Sequence, residues 1–332
     1  MSDDEVKKWV RAMLESDESD DFKNYASRLL ATDLVRFVWL INEFGRLAKI
    51  PKGGRVLDVG CGYGWNAAAL SLKFGCTVVA NDIRPHITEA IDRCCARLRA
   101  QGAPISVETL AGDICTLPLP NDSFDAIISN QAIEHIHDLD EMLRVCKRIL
   151  KPGCTLVATN DNNARSRAQL AEIQKYWHRR DTDWTFIEEL RRQRPIEDRD
   201  VEPYSAIRER IVKAANAKLS SDQVSTIVHA TAGLTQKEIA RVAESYAPGV
   251  KLPERPALSW CRNPIDGEFC ERQLDPYDLA KQANSHGFVA HARHGFRRKP
   301  LNWLNALDLR PVNDLLFQRN SYFILVATKP KA

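Results

Sequence analysis

Apolar residues recur at helical spacing between residues 23 and 48, where Leu29, Leu30, Leu34, Phe37, Val38 and Ile41 share one face. That spacing predicts one helix over the span, ended by Pro51-Lys52-Gly53-Gly54. Short apolar runs then alternate with helical patterns. Arg55–Val59, Thr77–Ala80, Ile105–Leu110, Phe124–Ser129 and Thr155–Thr159 read as strands. Asn66–Phe74, Ile87–Ala100 and Leu139–Leu150 read as the helices between them. Continuous apolar strands separated by helices predict a parallel sheet covered on both faces.

The rhythm changes after Asn160. From about 163 to 247 every pattern is helical, and Thr235-Gln236-Lys237-Glu238 has capping-box spacing with Leu234 set to staple onto Ile239. So long a helical stretch between two strands is an insertion rather than a loop. The sheet pattern resumes with a helix over Pro276–Ser285, begun by Asp275-Pro276 and ended before Gly287. Strands at Phe288–His291 and Ser321–Thr328 follow. The expected fold is α/β and Rossmann-like, a seven-stranded, mostly parallel sheet with a helical insertion after the fifth strand. The expected organisation is an N-terminal helical segment (1–52), a core (53–160), a helical cap (161–255) and the remainder of the sheet (256–332).

Composition narrows the class. The chain has 332 residues, 44% hydrophobic and 27% charged, as ordinary globular proteins do. The longest apolar run, Leu34–Ile41, contains Arg36, so no membrane span is expected. The opening Met-Ser-Asp-Asp-Glu lacks the basic and apolar parts of a signal peptide, which predicts a cytoplasmic protein. The 9 cysteines include no Cys-x-x-Cys pair. They read as reduced, mostly buried thiols, and no metal site is expected from them. A net charge of +3 gives no reason to expect nucleic-acid binding. Charge is uneven, with an acidic start at Asp17, Glu18, Asp20 and Asp21 and a basic middle at Arg179, Arg180, Arg191, Arg192 and Arg194. Solvated helix faces account for such runs; alternatively, some of these arginines, with Arg165 and Arg167, hold an anionic substrate.

The chemistry concentrates in Val56-Leu57-Asp58-Val59-Gly60-Cys61-Gly62-Tyr63-Gly64, a buried strand ending in a glycine-rich turn before a helix. In open α/β sheets, ligands bind at the carboxyl ends of strands. Asp58 can accept hydrogen bonds from an ammonium group there. A nicotinamide fingerprint would need a glycine at position 65, which is Trp. Asp82 and Ile83 end the second strand, Asp113 and Ile114 follow the third, and Asn130 and Gln131 end the fourth. Glu134-His135 and Leu150-Lys151-Pro152-Gly153 come after.

Gly60-x-Gly62-x-Gly64 after Leu57-Asp58, with Asp82 and Asp113, resembles class I S-adenosylmethionine-dependent methyltransferases. The likeness is to the small-molecule, type 11 family that includes ubiquinone-biosynthesis C-methyltransferases. It covers 53–160 well and 256–330 loosely. The resemblance implies S-adenosyl-L-methionine as cofactor, with Asp58, Gly60, Cys61 and Gly62 at its amino-acid end. Asp82 would hold the ribose, Ile83 and Ile114 the adenine faces, and Asp113 the adenine amino group. Asn130 would lie under the sulfonium, and Gln131 beside it would also belong to the cofactor site. His135 is a candidate general base, although a Glu-His pair at this point also fits a structural role. Trp177, Tyr204 and Trp260 could line a pocket and fit a core as well.

The acceptor stays open. Asn130-Gln131-Ala132-Ile133 is neither the Asn/Asp-Pro-Pro-aromatic signature of amino-methylating DNA enzymes nor a Pro-Cys. The second loop glutamate of protein arginine methyltransferases is missing. A small metabolite, sugar or lipid-like acceptor, O- or N-methylated and carrying an anionic group, is the expected partner. A non-catalytic cofactor sensor or partner subunit is the alternative, and a homodimer is compatible with the sequence.

Overall fold

The computed structural model describes residues 1–16, 18–32, 34–193, 201–294 and 310–331. Asp17 and Arg194, of the acidic and basic runs, lie outside the described residues. The chain divides into two compact units. The first comprises Met1–Ile133, Asp138–Asp161 and Asp275–Ala332; the second, Glu134–His137 and Asn162–Leu274.

The first unit is built on a seven-stranded sheet. Its strands are β1 (Arg55–Val59), β2 (Thr77–Asp82), β3 (Val107–Ala111), β4 (Phe124–Asn130), β5 (Leu150–Asn160), β6 (Val289–His294) and β7 (Phe323–Thr328), in the order β3-β2-β1-β4-β5-β7-β6. β1 through β5 run parallel, while β7 lies antiparallel between β5 and β6. The Rossmann-like α/β architecture expected from the pattern is therefore present. Val56, Val78, Ala126, Ile128 and Val157 pack into one core. Their strand neighbours Leu57, Val79, Ile127 and Leu156 are equally buried, on the other pleat face. Burial of both faces explains why these strands read as unbroken apolar runs.

Helices α1 (Asp3–Leu14), α2 (Asp20–Leu30), α3 (Val35–Ala48), α4 (Trp65–Phe74) and α5 (Pro85–Ala100) contribute to that core. α6 (Leu139–Ile149) packs on β5, and α12 (Pro276–Ser285) on β6 and β7. The single helix expected over 23–48 is instead two. Ala31 caps α2, and Leu34, fully buried at a left-handed φ of 56°, precedes α3. The apolar periodicity runs through this corner because Leu34 still faces the core, so spacing alone hid the break. α1 lies within the N-terminal helical segment expected over 1–52, ahead of the apolar spacing that marks residues 23–48. A Ser2–Glu5 capping box starts it, and Val6, Val10, Met13 and Leu14 bury it. Glu18, of the acidic start, is not a solvated charge: its carboxylate grips Arg93 and Arg97 of α5. β5 starts earlier than expected, at Leu150. The register slips between Phe124 and Ala126, which absorbs Pro152-Gly153 as an irregularity of the strand rather than a turn before it.

The second unit is helical: α7 (Arg167–Thr182), α8 (Trp184–Gln193), α9 (Tyr204–Ala215), α10 (Ser221–Ala230) and α11 (Gln236–Glu244). α11 begins at the Thr235–Glu238 capping box, with Leu234 and Ile239 in one apolar cluster. A second cluster joins Trp177, Tyr204, Ile207 and Trp260, so those aromatics are core. Beside it a buried Arg208 grips Asp181 bidentately, at 2.7 and 3.0 Å. Residues 256–274 belong to this unit, and the sheet-bearing unit resumes at Asp275. Among the described residues no helix is long and apolar enough to cross a membrane.

Candidate functional site

β1 and β4 pair through Asp58 and Ile128, but the chain leaves β1 toward β2 and leaves β4 toward β5. The crevice at their carboxyl ends is the switch point where open sheets bind ligands. The glycine turn sits there. Gly60 has φ 66°, and a Cβ on it would come 2.4 Å from Cβ of Ala132. Gly62 has φ 52°, and a Cβ on it would meet nothing within 4 Å. One glycine is required by a neighbour in the protein; the other faces open space.

Asp58 is fully buried, and among the described residues neither of its carboxylate oxygens has a hydrogen-bond partner. Burial, helped by the nearby Asp82 carboxylate, pushes its carboxyl up to about 7. A buried carboxyl with no partner is costly and is a place for a donor from outside the chain. The Cys61 thiol is pushed well up, first by burial and then by Asp58 and Asp82, so it is no nucleophile; its N–H donates to the Asn81 carbonyl at 2.8 Å.

Asp82 has a role that the sequence reading missed. Its Oδ2 accepts the Gly62 N–H at 3.1 Å and its Oδ1 the Arg84 N–H at 3.1 Å, so it braces the glycine turn. A carboxylate offers about four lone-pair sites, which leaves acceptor capacity. Ile83 beside it is 63% exposed, a large apolar side chain left in water. Asp113 is half-buried, and its Oδ1 accepts the Cys115 N–H at 2.9 Å; Ile114 is buried. Asn81, also missed, is buried and donates to the carbonyls of Leu110 and Gly112, tying the ends of β2 and β3 together. A lone amide at the end of an apolar strand was its available signal.

Asn130 Oδ1 accepts the Thr159 hydroxyl at 2.7 Å. Gln131 sits at a left-handed φ of 54°, its N–H on the Thr159 carbonyl and its Oε1 on the Asp161 N–H. Both are thus locked to the end of β5. Tyr63 and Trp65, which flank Gly64, pack with Phe22 of α2 at ring distances of 5.1 and 5.4 Å. The tryptophan that breaks the nicotinamide pattern is therefore a packing residue.

His135 belongs to the second unit. Its Nδ1 hydrogen-bonds the Phe269 carbonyl at 2.9 Å. Burial pushes its pKa down, but the carboxylates of Glu134, Glu271 and Glu268 and the Phe269 carbonyl outweigh that and hold it above the ordinary value. Glu271, at a left-handed φ of 54°, accepts from Asn162 at 2.7 Å. Glu134, His135 and Glu271 bring possible ligand atoms within 4.8 Å of one another, a grouping that cysteine and histidine spacing did not suggest. With Nδ1 on the Phe269 carbonyl and Glu271 on Asn162, the set is an ordered cluster of charged and hydrogen-bonded side chains. The basic middle is largely committed inside the same unit. Arg179 pairs with Asp183 and Glu189, Arg180 is buried on the Glu202 carbonyl and the Tyr204 ring, and Arg192 approaches Glu188. Arg167 and Arg191 are exposed.

Residues 57–158, the stretch containing Asp58, the glycine turn, Asp82, Asp113 and Asn130, match a family model described as a methyltransferase domain. That stretch is similar to methyltransferase domains. Methyltransferase GfsG of Streptomyces halstedii is 39% identical over 105 residues, 31% of this chain and 36% of that protein. The ubiquinone biosynthesis O-methyltransferase of Xanthomonas campestris pv. campestris (strain B100) is 32% identical over 36% of this chain and 48% of its own length. The chain therefore spans less than half the length of these relatives. The solved geranyl diphosphate C-methyltransferase of Streptomyces coelicolor A3(2) overlays with a TM-score of 0.47 at 13% identity, covering 96% of this chain and 88% of that one. The family of the domain uses S-adenosylmethionine, and the methyltransferase resemblance read from the motif is matched by these relatives.

Proposed function

We propose that this chain transfers a methyl group from S-adenosylmethionine to a small-molecule acceptor. Asp58 carries the reading: a wholly buried carboxyl whose two oxygens have no partner among the described residues, at the carboxyl end of β1 beside a glycine that opens on space. The residues fit the cofactor. Asp58 would accept from its ammonium group, Gly60, Cys61 and Gly62 would lend a close backbone, and Asp82 would take the ribose hydroxyls with its spare lone pairs. Ile83 and Ile114 would pack on adenine and Asp113 would accept from its amino group, while Asn130 and Gln131 would border the sulfonium. When bound, the cofactor supplies an electrophilic methyl that is displaced in line. The chain's own part is then positioning and exclusion of water.

We read the second unit as the part that binds the acceptor. An amine acceptor needs only to arrive neutral; a hydroxyl gains ~10²–10⁴-fold from a general base. If His135 is that base, its raised pKa makes the rate climb with pH through a value above that of free imidazole. An anionic group on the acceptor would be met by arginines other than Arg179 and Arg180, such as Arg167 and Arg191. Thermal shift with S-adenosylmethionine, S-adenosylhomocysteine and NAD tests the cofactor. A ligand at 100 times its Kd stabilises by about 2.7 kcal/mol, and binding of NAD alone would overturn the reading. A screen of metabolites, sugars and lipid-like acceptors with labelled methyl donor tests the transfer. Cofactor binding with no transfer to any acceptor would point to a sensor instead.

A further inference from the structure

Arg262 and Phe269 form an isolated antiparallel bridge. That register sets Cys261 directly opposite Cys270, side chains on one face. The Cys270 N–H donates to the Cys261 carbonyl at 2.8 Å, and the Asn263 N–H to the Glu268 carbonyl at 2.9 Å, so the pairing is held on both sides. Opposed residues in such a pair have Cα atoms about 5.5 Å apart, inside the roughly 4.4–6.8 Å that a disulfide spans. Trp177 anchors both sides, its Nε1 donating to the Cys270 carbonyl and its own carbonyl facing the Cys261 sulfur.

We propose that Cys261 and Cys270 are a reversible disulfide site, closed by low-molecular-weight disulfides such as oxidised glutathione. The thiols differ in the way such exchange needs. Cys261 is buried, its sulfur against the Trp177 carbonyl and its thiol pushed up by that burial, whereas Cys270 is only half-buried and is the sulfur that solvent reaches. Cys270 therefore attacks first. Its thiolate displaces one glutathione and leaves a mixed disulfide; Cys261 then loses its proton, attacks the Cys270 sulfur and releases the second glutathione. The protein gives up two protons and two electrons, and one glutathione disulfide becomes two thiols. The bridge would clamp the segment that presents the Phe269 carbonyl to His135 and Glu271 to Asn162, which couples redox state to the order of that cluster.

The test uses the full chain equilibrated across reduced-to-oxidised glutathione buffers, quenched by alkylation and mapped by mass spectrometry. The expected result is a Cys261–Cys270 crosslinked peptide that rises with oxidation, disappears with dithiothreitol, and accompanies a gain of about 5 °C in Tm for closing a short loop. In Cys261→Ser the glutathione adduct should instead accumulate on Cys270, because no partner resolves it. A pair that stays reduced in fully oxidised glutathione, stops at the mixed disulfide in the wild type, or bridges to other cysteines would overturn the proposal. The wild-type map decides this even if the variant folds poorly.

Discussion

Replacing Asp58 by Asn probes the buried carboxyl directly. In the unfolded chain its pKa is about 3.9, and in the folded chain burial raises it to about 7. Below about pH 3.9 both states hold the proton, and ionisation costs folding nothing. Between those values the unfolded chain releases its proton while the folded chain keeps it, so stability falls as pH rises. Above about 7 the folded carboxyl ionises too, and the loss levels off. About three pH units at 1.36 kcal/mol each give roughly 4 kcal/mol as the full loss. Asp58→Asn cannot ionise and escapes this loss. Its stability relative to wild type should grow steadily from pH 4 to 7 and stay flat from 7.5 to 9, read from urea melts at each pH. The same variant should shrink the stabilisation by S-adenosylmethionine, because a charge-assisted acceptor worth about 1.5–3 kcal/mol is gone. A wild-type-to-variant difference constant within about 0.5 kcal/mol across that pH range would show that Asp58 is hydrated or partnered, and would remove the observation on which the cofactor assignment rests.

Asp82→Ala should weaken cofactor binding more than tenfold by calorimetric titration. It should also destabilise the apo chain by about 1–3 kcal/mol, since the Gly62 and Arg84 N–H groups lose their acceptor; unchanged affinity would refute the ribose role. Gly60→Ala and Gly62→Ala separate packing from ligand approach. Gly60→Ala must push Ala132 away and should cost stability heavily, whereas Gly62→Ala should cost only the ~1–2 kcal/mol of its left-handed backbone while losing cofactor affinity, as urea melts and titration of both would reveal. Asp181→Ala leaves the buried Arg208 guanidinium without its carboxylate and should destabilise by about 3–5 kcal/mol in urea melts. A loss under 1 kcal/mol would mean that water reaches the pair.

Much of the sheet was legible because strands buried on both faces must be apolar throughout, and β1, β2 and β4 are short runs set off by Gly, Pro and charged residues. The Asp58–Gly64 motif was legible because a turn that needs positive φ at successive alternate positions admits few residues. Local spacing could not reveal what depends on partners distant in the chain. Leu34 keeps helical periodicity while its backbone turns left-handed, because the core, not the helix, claims its side chain. Glu18 reads as surface charge until Arg93 and Arg97 fold against it. Asp82 reads only as a ligand residue until Gly62 and Arg84 are seen donating to it, which adds a bracing role to the proposed one. Arg179 and Arg180 read as solvated charges or as substrate cations until Asp183 and Glu189 are seen pairing with the first and the Glu202 carbonyl accepting from the second. Composition and period determine which segments are buried and which element they form, since both are properties of neighbours along the chain. Only the tertiary structure decides which charges are spent on the protein itself and which, like the Asp58 carboxylate, are left for something else, because a hydrogen bond between residues far apart in sequence leaves no local trace.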